Sequence, residues 1–232
     1  MTDNTKLWTD ISKTDPKHTK DFNRGGGFKG TSINPTYNNK RLTEQFGMCG
    51  IGWGFDIVKE EYVEGGWITD KDREIIHVIQ IDFWFFRGEK KGIIPSKGQT
   101  TFVGKNKFGV FTDEEAPKKS LTDAITKAAS YLGFGADIFM GMYDDVKYVN
   151  DLRAIFGKAE AEKEAEEKRK KAESWVNDYL VKLSEINKED NHDLINLQTD
   201  NTKWLKAIAD GYPDLHKVIM RETDKLRSPS GL

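Results

Sequence analysis

The chain has 232 residues, with 36 Lys and Arg against 38 Asp and Glu, for a formal net charge of −2. That length suits one ordinary domain plus an appendage, and the balance of charge excludes the global basic excess that marks many nucleic-acid binders. Residues 1–157 hold 22 basic and 22 acidic side chains, so any affinity for a polyanion has to come from local clustering.

Three textures follow one another along the chain. Residues 1–34 are polar, with a Gly25-Gly26-Gly27 run, and read as an N-terminal arm or loop with at most a short helix. Residues 35–156 hold nearly all the aromatic and β-branched side chains and read as the core. A short helix opens it, with Pro35 suited to the first turn and Gly47 to the stop. A strand follows, in which Ile51, Trp53, Phe55 and Ile57 alternate on one face. A second strand spans about 74–87, with Ile79, Ile81, Phe83 and Phe85 on one face. A third spans about 99–111. Glu64-Gly65-Gly66 and Gly88-Glu89-Lys90-Lys91-Gly92 supply turn chemistry between the strands.

A helix comes next. Leu121, Ile125, Ala128 and Leu132 recur on one helical face, between Pro117 and Gly133. Another begins near Asp144 and carries Val149, Leu152 and Phe156. The expected fold class is α+β: helix, three-stranded antiparallel meander, helix. Residues 157–232 form a C-terminal helical region. It opens on a solvated stretch with Glu164–Lys168, Glu166–Lys170 and Glu167–Lys171 at i,i+4 spacing, each pair worth about 0.2–0.5 kcal/mol. The apolar stripe that starts at Trp175, and two later amphipathic stretches around 194–208 and 215–226, suggest a small three-helix bundle.

Little in the sequence suggests catalysis. The single cysteine, Cys49, rules out an internal disulfide or a cysteine zinc site within one subunit and fits a reducing compartment. His18, His77, His192 and His216 show no metal-ligand spacing, and His77 reads as an ordinary strand histidine. No phosphate-binding GxxxxGK[ST] loop occurs, and Gly50-Ile51-Gly52-Trp53-Gly54 lacks the helix that a dinucleotide fingerprint must open. Asp82 with Glu89 and Lys91 superficially matches the carboxylate and lysine set of a metal-dependent nuclease. Its Glu-x-Lys portion lies in a glycine-flanked turn, where the carboxylates would diverge. No cofactor is expected. No apolar run nears the roughly 20 residues that cross a bilayer, and MTDNTKLWTD lacks a secretory core. The expectation is a cytoplasmic protein with no membrane partner.

Nucleic-acid features are local. Tyr37 lies close to Lys40 and Arg41 on the first helix. Lys97, Lys105 and Lys107 lie on or beside the third strand, interleaved with Phe102 and Phe108. Lys118, Lys119 and Lys127 lie on the following helix, and Lys90 and Lys91 at a turn. Basic side chains that track a backbone, beside aromatic surface, are what sequence-tolerant single-strand binding needs.

Two segments, NPTYNNKRLTEQFGMCGIGWGFDI (34–57) and KKSLTDAITKAASYLGFGADIFMGMYDD (118–145), resemble the single-strand annealing proteins of the Rad-fifty-two type, in particular the phage members, cousins of the Red-beta, RecT, Erf and Sak annealing proteins. Phe46-Gly47, Gly52-Trp53, and Thr122-Asp123-Ala124 through Lys127-Ala128 to Leu132-Gly133 match in order and spacing. The likeness covers about residues 10–156. It implies ATP-independent binding and annealing of single-stranded DNA by a ring or helical filament, with no reaction catalysed. The strand would lie in a basic groove between a β-hairpin stem and the helix. Phosphate contacts would come from Lys40, Arg41, Lys105, Lys107, Lys118, Lys119 and Lys127, with Tyr37 beside them. The chain departs from the pattern at Thr126 and Ser130, where the family is often basic, and at Tyr37, which replaces a basic position. Expected partners are single-stranded DNA, the annealed duplex, further copies of the chain and, through residues 157–232, a phage exonuclease or single-strand-binding protein. The expected setting is the host bacterial cytoplasm. The other readings are the nuclease and a plain single-strand-binding protein.

Overall fold

A computed structural model describes residues 5–23, 27, 29–187 and 191–227. The fold is α+β. The chain divides into two compact units, Met1–Ile155 and Phe156–Leu232. Gly25 and Gly26 of the expected glycine-rich arm lie outside the described residues. Among those described, no helix is long and apolar enough to cross a membrane.

The first unit opens with a short helix, α1 (Lys6–Ile11), and an antiparallel hairpin, β1 (Thr19–Asn23) and β2 (Lys29–Ile33). Residues expected to form a loose arm are thus folded against the core. Ile11 is buried there, and Thr14 bonds to Asp137 far along the chain. Helix α2 (Pro35–Phe46) begins as the sequence indicates. The Asn34 side chain accepts from the Thr36 and Tyr37 N–H groups at 2.9 and 3.3 Å, satisfying donors that a helix start leaves free. Gly47 ends the helix at φ +96°.

The main sheet has four strands, in the order β3 (Trp53–Trp67), β4 (Arg73–Arg87), β5 (Lys90–Asn106) and β6 (Gly109–Thr112), every pair antiparallel. Three strands were expected, and the turns account for the difference. Gly65 and Gly66 do not turn the chain. They sit in β3 at a register shift between Glu64 and Trp67, the bulge that glycine inside a strand often marks. The turn comes at Thr69–Asp72, closed by Thr69 Oγ1 donating to the Asp72 carboxylate at 2.6 Å. Only Gly88 and Glu89 separate β4 from β5, because Gly88 takes φ +61°; Lys90 and Lys91 are already strand. A second tight turn at Lys107-Phe108 splits the expected third strand into β5 and β6. There the Asn106 side chain accepts from the Phe108 N–H at 2.8 Å, and Gly109 takes φ +124°. Ile51 precedes β3 and is exposed, as is Ile57.

The core follows the alternation of β4. Ile79, Ile81 and Phe83 are fully buried against helix α3 (Ala116–Ser130), which presents Ala124, Ile125, Ala128 and Ala129. Alanines at the contact let the helix lie close to the strands. Gly98 of β5 sits directly under it, and a Cβ there would stand 1.9 Å from the Ser120 carbonyl oxygen. Gly52 is equally constrained: a Cβ would meet the Phe46 carbonyl oxygen at 1.8 Å, so the end of α2 rests on the start of the sheet. A one-turn helix, α4 (Ala136–Phe139), and a 3-10 turn at Met142–Asp144 lead to α5 (Val146–Ser184).

The second unit packs the later part of α5 with α6 (Asn191–Asp200), α7 (Thr202–Gly211) and α8 (Pro213–Arg227) around Val176, Tyr179, Leu183, Leu194, Ile208 and Ile219. The stretch expected as one helix over 194–208 breaks at Asn201, whose side chain donates to the Leu197 carbonyl at 2.8 Å. The solvated part of α5 carries the expected pairs Glu164–Lys168 at 2.8 Å and Glu166–Lys170 at 2.6 Å.

Candidate nucleic-acid interface

A cleft of about 770 Å³ opens within the first unit. The β1–β2 hairpin forms one wall, through Phe22 and residues 29–33. The outward side of α3 forms the other, through Lys118, Lys119, Thr122, Asp123 and Thr126. The α4 segment and the turn after it close one end with Ile138, Phe139, Tyr143 and Asp144. The walls combine three lysines (Lys29, Lys118 and Lys119) with apolar and aromatic surface, and two carboxylates, Asp123 and Asp144.

Helical period explains why α3 supplies that wall. The face carrying Ala124 and Ala128 is fully buried on the sheet, which turns Lys118, Thr122 and Thr126 outward. Lys118 is paired with Glu115 at 2.9 Å, and Lys119 hydrogen-bonds the Asp113 carboxylate. That bond, above all, lowers the Asp113 carboxyl below its usual range. Both ammonium groups remain largely exposed, and exposed pairs of this kind exchange partners at a cost of about 0–1 kcal/mol. Farther along α3, the Lys127 ammonium lies 5.1 Å from the Tyr131 ring centre and 5.7 Å from that of Phe139, a cleft residue.

The end of the cleft is held by a buried network. Asp137 is almost fully buried and accepts from the Thr14 N–H at 2.8 Å, the Thr14 hydroxyl at 2.7 Å and the Tyr148 hydroxyl at 3.1 Å. The Tyr143 hydroxyl donates to the Thr14 carbonyl at 2.6 Å. Burial, and next the nearby Asp137 charge, push the Tyr148 phenol up to about 12 and the Tyr143 phenol further still. The network ties the segment before the hairpin to the segment after α3, and so sets the width of the cleft.

The expected contact residues are not all in this place. Lys118 and Lys119 line the cleft, and Lys127 stands beside it. Lys105 and Lys107 lie at the β5–β6 hairpin, exposed but outside the cleft lining, with the Lys107 ammonium 4.9 Å from the Phe108 ring centre. Lys40 is an exposed residue of α2, 3.7 Å from Glu44. Tyr37 and Arg41 serve the fold. The Tyr37 ring is 8% exposed and stacked on His18 at 4.2 Å, so it offers no free face to a base. Arg41 donates to the Lys13 carbonyl and the Tyr37 hydroxyl, both at 3.2 Å. Sequence reasoning missed Lys29, Phe22 and Phe139. Phe22 and Lys29 lie in the N-terminal stretch that reads as an arm or loop, and Phe139 lies in the 118–145 segment with no local feature to single it out; the hairpin pairing Asn23 with Lys29 is what brings the first two to the wall.

No protein-family model matches the chain, and no curated protein matches it significantly.

The nuclease pattern does not converge. Asp82 pairs with Pro95, while the hairpin ends at the Arg87–Lys90 pair with Glu89 in the turn. Five residues at about 3.3 Å each put roughly 17 Å of strand between Asp82 and that turn. The Lys91 ammonium stands over the Trp84 ring at 5.0 Å. His77 is fully buried with its Nε2 3.0 Å from Glu60 Oε1, as suits a strand histidine of the core. Among the described residues, no group of three or more His, Cys, Asp or Glu side chains is placed to hold a metal ion.

Proposed function

We propose that the chain binds single-stranded DNA and anneals complementary strands without ATP, as an oligomeric ring or filament serving phage-type recombination and repair. The observation that carries this reading is the cleft itself: an open groove between a β-hairpin and a helix, lined by Lys29, Lys118 and Lys119 together with Phe22 and Phe139. Lysines satisfy phosphates, and aromatic surface receives bases whatever their sequence. The reading is also supported by the placement of the motif residues. Thr122-Asp123-Ala124 through Lys127-Ala128 form the helix that turns one side to the sheet and the other to the cleft. The resemblance implies a helix, a three-stranded antiparallel meander and a helix; the chain has a helix, four antiparallel strands in sequence order and a helix.

Three phosphate contacts per subunit would give a modest affinity. The salt slope on a single strand is about −0.7 per contact, so binding should fall roughly 20-fold between 50 and 200 mM salt. Linking subunits raises the effective affinity by about 10²–10⁴, which makes assembly part of the mechanism. Residues 157–232 serve in this proposal as a docking region for a phage exonuclease or a single-strand-binding protein, and the site of action is the host bacterial cytoplasm.

The test uses complementary labelled oligonucleotides with the purified chain, with and without Mg²⁺ and in the absence of ATP. Faster pairing is expected. Coating that slows pairing would indicate a plain single-strand-binding protein, and shortening of the strands in Mg²⁺ would indicate a nuclease; either result overturns the annealing reading.

A further inference from the structure

The main sheet ends on two long strands with open outer sides. Among the described residues nothing pairs along the outer side of β3 beyond Trp53, and the outer side of β5 is occupied only from Phe102 to Asn106. Residues 90–101 of β5 are therefore a free edge of about 40 Å at 3.3 Å per residue. Apart from Pro95, which has no N–H, its outward N–H and C=O groups form a template for another strand; proteins commonly protect such an edge by shortening or covering it, or with lysines, proline or bulges, and β5 carries the lysines and the proline while β3 carries two bulges. Here neither edge is short.

The two edges carry opposite charge. On β3, Asp56, Glu60, Glu61 and Glu64 face a single Lys59, a net of −3. On the free part of β5, Lys90, Lys91 and Lys97 meet no acid, a net of +3. Among the described residues these three lysines make no ion pair within the chain. Glu60 is held by the buried His77 at 3.0 Å, while Glu61 pairs with Lys59 and Glu64 with Arg73; these last two pairs are exposed and exchange readily. The β3 edge also leaves apolar surface in water: Ile57, Val58, Tyr62 and Trp67 are 52–64% exposed, and Ile93 on β5 is 56% exposed.

We infer that β3 of one copy pairs with β5 of the next, joining copies head to tail through one continuous sheet. Charge selects this pairing. Two β3 edges would set carboxylates against carboxylates, and two β5 edges lysines against lysines; only the mixed pair is attractive. Topology sets its direction. β3 and β5 both run antiparallel to β4, so they point the same way, and a sheet that keeps α3 on one face pairs them in parallel. Each copy keeps one acidic and one basic edge after joining. Such an interface repeats, closing into a ring or continuing as a filament. It rests on the proposed function only for the claim that copies assemble; no DNA contact takes part in it.

The full chain is tested without DNA, by light scattering on the eluting protein. The wild type is expected as multiples of 26.5 kDa. One variant carries Lys90→Glu, Lys91→Glu and Lys97→Glu; a second carries Asp56→Lys, Glu61→Lys and Glu64→Lys. Each should elute as a monomer with wild-type circular dichroism. An equal mixture should regain the multiples, because each variant then meets a complementary edge on the other. Zero-length cross-linking of mixed light and heavy-isotope wild-type chains should join β5 lysines of one copy to β3 carboxylates of another, a readout that needs no variant to fold. A monomeric wild type, unchanged assembly of either variant, a folded mixture that stays monomeric, or intermolecular cross-links confined to other surfaces overturns the inference. A chain that assembles this way but does not anneal overturns the proposed function alone; a chain that anneals as an oligomer joined through other surfaces overturns this inference alone; a monomer that anneals overturns this inference and the assembly part of the proposed function together.

Discussion

Gly98 and Ser120 meet where β5 passes beneath α3, so close that a single added carbon at Gly98 would stand 1.9 Å from the Ser120 carbonyl oxygen and 2.6 Å from the Ala124 nitrogen. Those are backbone atoms of a helix, which cannot turn aside as a flexible side chain would. Gly98→Val should lift α3 off the sheet and cost about 3 kcal/mol or more, the upper range for overpacking a core. Gly66→Ala, where nothing lies within 4 Å of an added Cβ, should cost far less. Denaturant unfolding of both variants checks this, and equal midpoints would contradict the close packing.

The buried network around Asp137 predicts an alkaline weakness. The Tyr148 phenol is raised in the folded chain from 10.0 to about 12 by burial and by Asp137. The folded state therefore holds its proton where the unfolded state has lost it. By linkage the contribution is fully present below pH 10 and is lost as the pH rises toward 12. Urea midpoints should fall across that window, and Tyr148→Phe should flatten the fall.

Asp137→Ala removes the acceptor for Thr14 and Tyr148 together. A buried donor left unsatisfied costs about 1–3 kcal/mol, so the variant should lose several kcal/mol. Because the network sets the cleft width, any folded fraction should also bind single-stranded DNA more weakly. Thermal melting and fluorescence anisotropy on one preparation read both effects.

The lysines divide by place. Lys118→Glu with Lys119→Glu should cut single-strand affinity by more than 10-fold and lower the salt slope by about 1.4, at about 0.7 per phosphate contact, while melting moves little. Lys127→Glu, beside the cleft, should weaken binding less. Arg41→Ala should do the opposite: a lower melting temperature, because the Lys13 carbonyl and Tyr37 hydroxyl lose their donor, and near-normal binding by the folded protein. Binding lost through Arg41 and untouched through Lys118 and Lys119 would move the interface to α2.

Phe83 is fully buried between the sheet and α3, with the Trp53 ring centre 5.8 Å away. Phe83→Ala should cost about 3–5 kcal/mol. The loss should appear as a lower denaturant midpoint with the circular dichroism of the surviving folded state unchanged.

Where local chemistry alone decides an outcome, the sequence was sufficient. The period-two run Ile79, Ile81, Phe83 marks a strand with one buried face, because no other backbone puts those side chains on one side. The period of Ile125 and Ala128 marks the helix facing it. Pro35 and Gly47 bound α2 through their own backbone limits. Lys118 and Lys119 could be placed on the outer side of α3 from the same period.

Other features depend on partners distant along the chain. Gly65 and Gly66 read as a turn, and only pairing with β4 makes them a bulge. Tyr37 and Arg41 read as ligands for DNA until His18 and Lys13 arrive beside them from the N-terminal segment. The cleft needs residues 29–33 and residues 118–126 brought together, a juxtaposition that the Asp137–Thr14 bonds hold across 123 positions of sequence. The sequence by itself determined the α+β class, the buried faces of β4 and α3 and the limits of α2, since each is written in neighbouring residues. The width of the cleft, the retirement of Tyr37 into the core and the opposite charge of the two sheet edges were decided only by tertiary structure, because each depends on which distant segment packs alongside.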